Sequence, residues 1–210
     1  MEELDKLKND WKKRDHGYKE LSEDDIYRML HRKSSSIVKW ILIISVLEVI
    51  FWTVIGLADG IDDYLKQIRF EGLLDFFTVL TYLNYAVILA FIVLFYRNYR
   101  SITTTASTRQ LMKDILRTRK TVQYYVYYNL GMVVLSFIIG LVMALVYSPK
   151  MDDLREKIMN ESKYMVLILI IGFGFVIVAF FLFWLFYRLL YGILLRKLLA
   201  NYRELKKIDL

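Results

Sequence analysis

Residues 165–190 read MVLILIIGFGFVIVAFFLFWLFYRLL, and no charged side chain occurs before Arg188. About 20 residues at helical rise cross a hydrocarbon core about 30 Å thick, so this run is long enough to span a bilayer. In lipid every backbone N–H and C=O must be satisfied within the chain, which leaves helices or closed barrels. Barrel strands are shorter and alternate apolar with polar residues. An unbroken apolar run of this length excludes them and predicts a transmembrane helix.

Working outward, three more runs meet the same criterion. They are 37–57 (IVKWILIISVLEVIFWTVIGL), 77–96, which Thr78, Thr81 and Asn84 dilute, and 125–147. The predicted fold is all-α, a polytopic four-transmembrane-helix bundle. Its remaining parts are a helical segment 1–36, outer loops 58–76 and 148–164, a basic helical loop 97–124 and a basic tail 191–210. This division explains how a chain can be 57% hydrophobic and still 24% charged.

Lys and Arg then set the direction. Nine precede the first run, seven lie in 97–124 beside a single acid, Asp114, and six lie from Arg188 onward; the intervening loops hold two and four. Both termini and the middle loop are therefore expected in the cytoplasm, with the lipid bilayer as first partner. The net charge of +7 reports that orientation and implies no nucleic-acid partner. The first 36 residues lack the apolar core of a signal peptide and read as a mature cytoplasmic segment.

Several chemistries are excluded. With no Cys there are no disulfides, thiolate metal sites or Cys nucleophiles. Two His, His16 and His31, leave no histidine-rich metal centre. No phosphate-binding loop, Gly-x-Ser-x-Gly or His-Glu-x-x-His pattern occurs, and Gly172-Phe173-Gly174 lies inside an apolar run with no strand before it. The expectation is a protein without cofactor, metal or catalytic residue.

The charged segments are patterned. Leu4, Leu7 and Trp11 share a helical face, Gly17 interrupts it, and Ser22 with Asp25 three residues on has the capping-box arrangement. Ile26, Met29 and Leu30 form the next apolar stripe, and Ser34–Ser36 reads as a hinge or collar before the first span. Helices this short cannot build a core. Trp11 and the Ile26, Met29, Leu30 stripe must be covered either by the bundle or membrane surface, or by a cytoplasmic protein partner. In the middle loop Ser107 or Thr108 caps a helix with Leu111, Met112, Ile115 and Leu116 on one face. Arg109, Lys113, Arg117, Arg119 and Lys120 line the rest. Such a basic helix suits anionic lipid headgroups, at about 1 kcal/mol per basic residue near the surface.

One acid lies within a predicted span. Glu48 stands near the centre of 37–57, where an ionised carboxylate costs about 3 kcal/mol or more. Lys39 is about half a turn out of phase and ~13 Å away along the axis. Ser45 and Trp52 share its face, and Asn84, Tyr85 and Ser136 are at suitable depth to hydrogen-bond it. Two roles stay open: a proton- or ligand-sensing carboxyl, or a protonated packing group that fixes helix rotation. Trp40, Tyr96, Tyr124, Tyr125, Tyr127, Tyr128, Tyr147, Tyr187 and Tyr191 cluster at the span ends as an interfacial belt would. Gly131, Gly140, Gly172 and Gly174 read as close-packing positions between helices. Asp62-Asp63 recurs as Asp152-Asp153, and Phe95-Tyr96-Arg97 as Phe186-Tyr187-Arg188, which raises a tandem duplication of a hairpin.

The N-terminal Leu7-x-x-x-Trp11-Lys12-Lys13, the run HRKSSSIVKW from His31 and the segment LMKDILRTRKTVQYYVYYNL from Leu111 carry a resemblance. On them the chain resembles uncharacterised four-pass inner-membrane proteins of Bacteroidota, over its whole length. Such chains are sometimes labelled carotenoid oxygenases, which hold iron with several His. His16 and His31 both lie outside the membrane, against that label. The helical N-terminus ahead of a span also looks similar to membrane-tethered anti-sigma factors, without their His/Cys zinc motif. The resemblance implies a non-enzymatic bacterial inner-membrane protein whose cytoplasmic parts dock a partner, as an anti-sigma-like regulator does. The residues alone keep open a small carrier or membrane-complex subunit built on Glu48.

Overall fold

The computed structural model describes residues 22–58 and 73–208. These form α1 (Glu23–Ala58), α2 (Leu73–Thr104), α3 (Thr108–Tyr147), α4 (Asp152–Asn160) and α5 (Ser162–Ile208), with one 3-10 turn at Pro149–Met151. No strand occurs among the described residues. α1, α2, α3 and α5 are each long and apolar enough to cross a membrane, so this is an all-α, multi-pass membrane protein. Leu4, Leu7, Trp11, Gly17, Asp62 and Asp63 lie outside the described residues.

α1 starts as its first residues dictate. The Asp25 N–H donates to Ser22 Oγ at 3.2 Å, and the Ser22 hydroxyl donates to Asp25 Oδ2 at 2.8 Å. Acids at 23, 24 and 25 favour the positive end of the helix dipole. The helix then runs unbroken through Ser34–Ser36, where the sequence suggested a hinge. The reason is packing. Serine is only about 0.5 kcal/mol worse than Ala in a helix, and Ser34 is buried, accepting a 3.1 Å bond from Asn201 Nδ2 of α5.

Leu30, Ser34, Val38, Ile41, Ser45 and Glu48 are the buried positions of α1. Their spacing of three and four residues keeps one seam facing the bundle along its length. α1 packs on α2 and α5, and α3 packs on the same two, so the ring order is α1, α2, α3, α5. One core cluster joins Leu30, Val38, Ile102, Leu111, Ile115, Leu198 and Leu205; the next joins Ile41, Phe95, Val122, Tyr125, Leu130, Tyr187 and Tyr191. The first belongs to segments that read as separate pieces around the spans. They are instead extensions of the same four helices, and they form a second bundle collinear with the first, here called the basic end.

The segment 97–124 is accordingly a helical hairpin, with only Thr105–Ser107 outside helix. Asp114 organises it. Buried, it accepts hydrogen bonds from the Ser101 and Thr105 hydroxyls (2.8 and 3.1 Å) and from Gln110 Nε2 (3.1 Å). The Tyr27 hydroxyl of α1 donates to the Thr105 carbonyl at 3.1 Å, and burial raises the pKa of that phenol.

Of the glycines read as contacts, Gly172 is tight: a Cβ there would sit 2.5 Å from Leu141 Cδ2. Gly131, Gly140 and Gly174 have open space instead. Gly172→Val is expected to lower the unfolding midpoint in detergent, by about 1–3 kcal/mol for an overpacked contact. Gly174→Ala is expected to leave it unchanged or raised, because Ala is favoured over Gly in a helix by about 1 kcal/mol. The sequence echo does not carry over into burial either. Phe95 is buried and Tyr96 exposed, whereas Phe186 is exposed and Tyr187 buried.

Candidate functional site

Helix register decides where Glu48 stands. Asn98 Nδ2 bonds Thr121 Oγ1 at 3.2 Å, the Tyr128 hydroxyl donates to Asn84 Oδ1 at 2.9 Å, and Thr53 pairs with Tyr85 at 3.0 Å. In this register Glu48 is level with Tyr125 of α3 and with Tyr187 and Tyr191 of α5. Tyr125 begins the third predicted span, Tyr187 stands near the end of the fourth, and Tyr191 is the first residue of the predicted tail. Outward of this level α3 continues for ~33 Å to Tyr147, and α1 for ~15 Å to Ala58. Glu48 therefore sits near the basic boundary of the long hairpin, although it is central in its own apolar run.

Its partners are those three tyrosines. Tyr125 Oη–H donates to Oε2 at 3.0 Å, Tyr191 Oη–H to Oε2 at 2.8 Å, and Tyr187 Oη–H to Oε1 at 2.5 Å. Glu48 is 7% exposed and the tyrosines 1–3%. The rings are fixed by one another and by phenylalanines: Tyr187 stacks on Tyr191 at 6.1 Å, and Tyr125 meets Tyr191, Phe91 and Phe95 edge to face at 5.4–5.8 Å. Among the described residues no Lys or Arg forms an ion pair with Glu48. Its oxygens are met, among the described residues, by oriented hydroxyls. A carboxylate offers about four lone-pair positions, and Oε1 with one donor keeps room for another.

On its outer side the cluster borders a cavity of about 430 Å³ lined by Glu48, Trp52, Thr53, Phe77, Thr81, Asn84, Tyr85, Tyr125, Asn129 and Ser136, among others. A second, of about 440 Å³, shares Trp52, Asn84, Asn129 and Ser136 and reaches Phe137, Phe183 and Tyr187. The two make one region between the four long helices. Among the described residues no Lys, Arg or His lines it.

The residues singled out from sequence distribute as follows. Asn84 bonds Tyr128 and Tyr85 bonds Thr53; with Ser136 they line the cavity near Glu48, and the hydrogen bonds to Glu48 come from tyrosines instead. Ser45 donates to the Leu42 carbonyl at 2.8 Å. Leu30 is buried in the basic-end core, Ile26 packs partly against it, Met29 is exposed, and Trp11 lies outside the described residues. Arg109, Lys113, Arg117 and Lys120 are on the exposed face of α3 and Arg119 is half-buried.

The missed residues are Tyr125, Tyr187 and Tyr191, read above as interfacial. The available signal was phase: Tyr187 and Tyr191 are one turn apart and continue the stripe of Leu198 and Leu205. A family model described as Domain of unknown function (DUF8845) matches residues 24–210. The chain belongs to that family. The family's model thus covers all of the four helices but the first residue of α1, together with Glu48 and its tyrosines. No curated protein and no solved structure matches the chain.

Proposed function

We propose that this is a non-enzymatic protein of the bacterial inner membrane, with both ends of the chain in the cytoplasm, that binds and carries a small solute in the cavity beside Glu48. The observation behind it is the cavity itself. A buried carboxylate with no cationic partner among the described residues forms part of its wall, together with Thr, Asn and Ser side chains at membrane depth. Polar groups there are costly and commonly mark substrate or ion paths. A solute site must admit water. Because the native chain has no Cys, a single introduced thiol is the sole target of a thiol reagent. In membrane vesicles, Ser136→Cys is expected to react with a small water-soluble thiosulfonate about tenfold or more faster than Leu182→Cys on the exposed apolar face of α5, since only a hydrated thiol ionises. Equal, slow labelling of both would exclude a solute-accessible cavity.

A second role concerns the basic end. There Met29 stays exposed while Leu30 is buried and Ile26 half-buried, which suits docking of a cytoplasmic partner, as an anti-sigma-like regulator would. Anionic headgroups suit the exposed Arg109, Lys113, Arg117 and Lys120, and the cleft between α1 and α5 lined by Lys33, Ser36, Lys197 and Asn201. With an unchanged bundle, Lys33→Ala plus Lys197→Ala is expected to weaken retention of phosphatidylglycerol over phosphatidylcholine about three- to thirtyfold, the loss of about 1 kcal/mol per basic residue. Retention of the two lipids by native protein and variant in mixed micelles measures it.

A further inference from the structure

We propose that the cavity takes a lipophilic organic cation, with its charge at Glu48 and its apolar body against Trp52, Phe77 and Tyr85. This rests on the solute-binding function above and adds the chemical class of the solute.

Sign of charge comes first. Among the described residues the cavity is bordered by one acid and no base. An anion there would face the carboxylate with no compensating Lys, Arg or His among the described lining residues, and like charges in a low-dielectric site repel strongly. A cation would supply what Glu48 lacks among the described residues, since the carboxyl there has hydroxyl donors and no basic partner.

The walls then select among cations. A small metal ion must exchange its water shell for several hard oxygen ligands. Among the described residues no group of three or more His, Cys, Asp or Glu exists to provide them. Aromatic rings fill that place instead. Trp52, Phe77, Tyr85 and Tyr125 line the first part of the cavity, and Phe137, Phe183 and Tyr187 the second. Ring faces attract cations that are weakly hydrated, and organic ammonium groups are the usual guests. Trp52 is held for this role by Phe183, at 5.6 Å between ring centres. Thr53, Thr81, Asn84 and Asn129 offer neutral polar contacts without opposing the charge.

The test uses full-length protein in detergent and two probes of nearly the same shape, tetraphenylphosphonium and tetraphenylborate. Saturable binding of the cation by equilibrium dialysis is expected, with the anion bound at least about tenfold more weakly, a difference of about 1.4 kcal/mol. Glu48→Gln is expected to weaken cation binding about tenfold or more. Trp52→Leu, which leaves the tyrosine network intact, is expected to weaken it about two- to thirtyfold. Equal binding of both probes, or cation affinity unchanged in both variants, overturns the proposal as mere apolar partition. No cation binding by a protein whose Ser136→Cys is labelled overturns this inference alone. No labelling at Ser136→Cys removes the solute-binding function with it.

Discussion

Glu48→Leu lowers the stability of the bundle by about 2–4 kcal/mol, and adding Tyr125→Phe, Tyr187→Phe and Tyr191→Phe restores most of the loss; these are the expected results of unfolding titrations in mixed micelles. Leucine is large enough to fill much of the glutamate's space, so loss of volume is not the main cost. The cost lies in the three hydroxyls that lose their acceptor. They cannot turn away easily, because Tyr125, Tyr187 and Tyr191 are locked ring against ring. A buried donor without a partner costs about 1–3 kcal/mol, and hydrogen bonds measured within membranes average about 0.6 kcal/mol. Three donors at about 0.6 kcal/mol set the lower bound near 2 kcal/mol, and three at the low end for a buried donor, about 1 kcal/mol each, give about 3 kcal/mol. Replacing every member of a buried polar network by apolar groups is often neutral or better, hence the recovery in the quadruple variant. Midpoints that coincide for Glu48→Leu and the native protein would mean that the hydroxyls find other acceptors and the cluster is incidental.

The intermediate variants carry the mechanism. Each Tyr→Phe alone is expected to cost about 0.5–1.5 kcal/mol. In the Glu48→Leu background the same changes are expected to become neutral or stabilising, a sign reversal that only a shared acceptor produces. The coupling between Glu48 and each tyrosine is the quantity to read from the cycles, at about 0.5–3 kcal/mol for residues in contact.

How much of this was readable along the chain follows from what each property depends on. Crossing a membrane depends on local apolar content and length, so the run at 165–190 decides its own state and the three others follow by the same rule. The solvation of a tyrosine depends on rotation of the whole helix. Tyr124 and Tyr125 are adjacent, yet one is 55% and the other 1% exposed. Composition at a span end fits both an interfacial belt and a core. Phase separates them: Leu111, Ile115, Thr118, Val122 and Tyr125 recur at three and four residues, and the stripe can be followed from the basic segment into the span. Dividing the chain at 124 and 125 cut that stripe at the point where it mattered. The same division hid Tyr191 from Tyr187 and turned Ser34 into a hinge. The height of Glu48 was beyond any single segment, because it is set by bonds between helices far apart in sequence.

The same seam explains why loss of Asp114 is expected to open the basic end while leaving the Glu48 level closed. Asp114 gathers Ser101, Thr105 and Gln110 at the Thr105–Ser107 turn, and it is the only acid in 97–124 against seven Lys and Arg. Asp114→Ala leaves the Ser101 hydroxyl without its acceptor, while Thr105 keeps the Ser101 carbonyl at 2.8 Å and the exposed Gln110 turns to water, and it removes the one negative charge in that hairpin. A cost of about 1–3 kcal/mol spent on local opening raises the population of the open form about 5- to 150-fold, and proteolysis follows that population when reclosing is fast. Tryptic cleavage after Arg100 and Arg109 in detergent-solubilised protein is expected to accelerate by about fivefold or more, with Asp114→Asn between it and native protein. Asp114 and Tyr125 are eleven residues apart on α3, ~16 Å along the axis. Costs at sites so far apart with no shared partner usually add within about 0.5 kcal/mol. If Asp114→Ala and Glu48→Leu add, the two ends are separate units on common helices. If the double variant is more stable than the sum by over about 1 kcal/mol, beyond that margin, opening the basic end already frees the tyrosines, and the seam from Leu111 to Tyr125 unfolds as one.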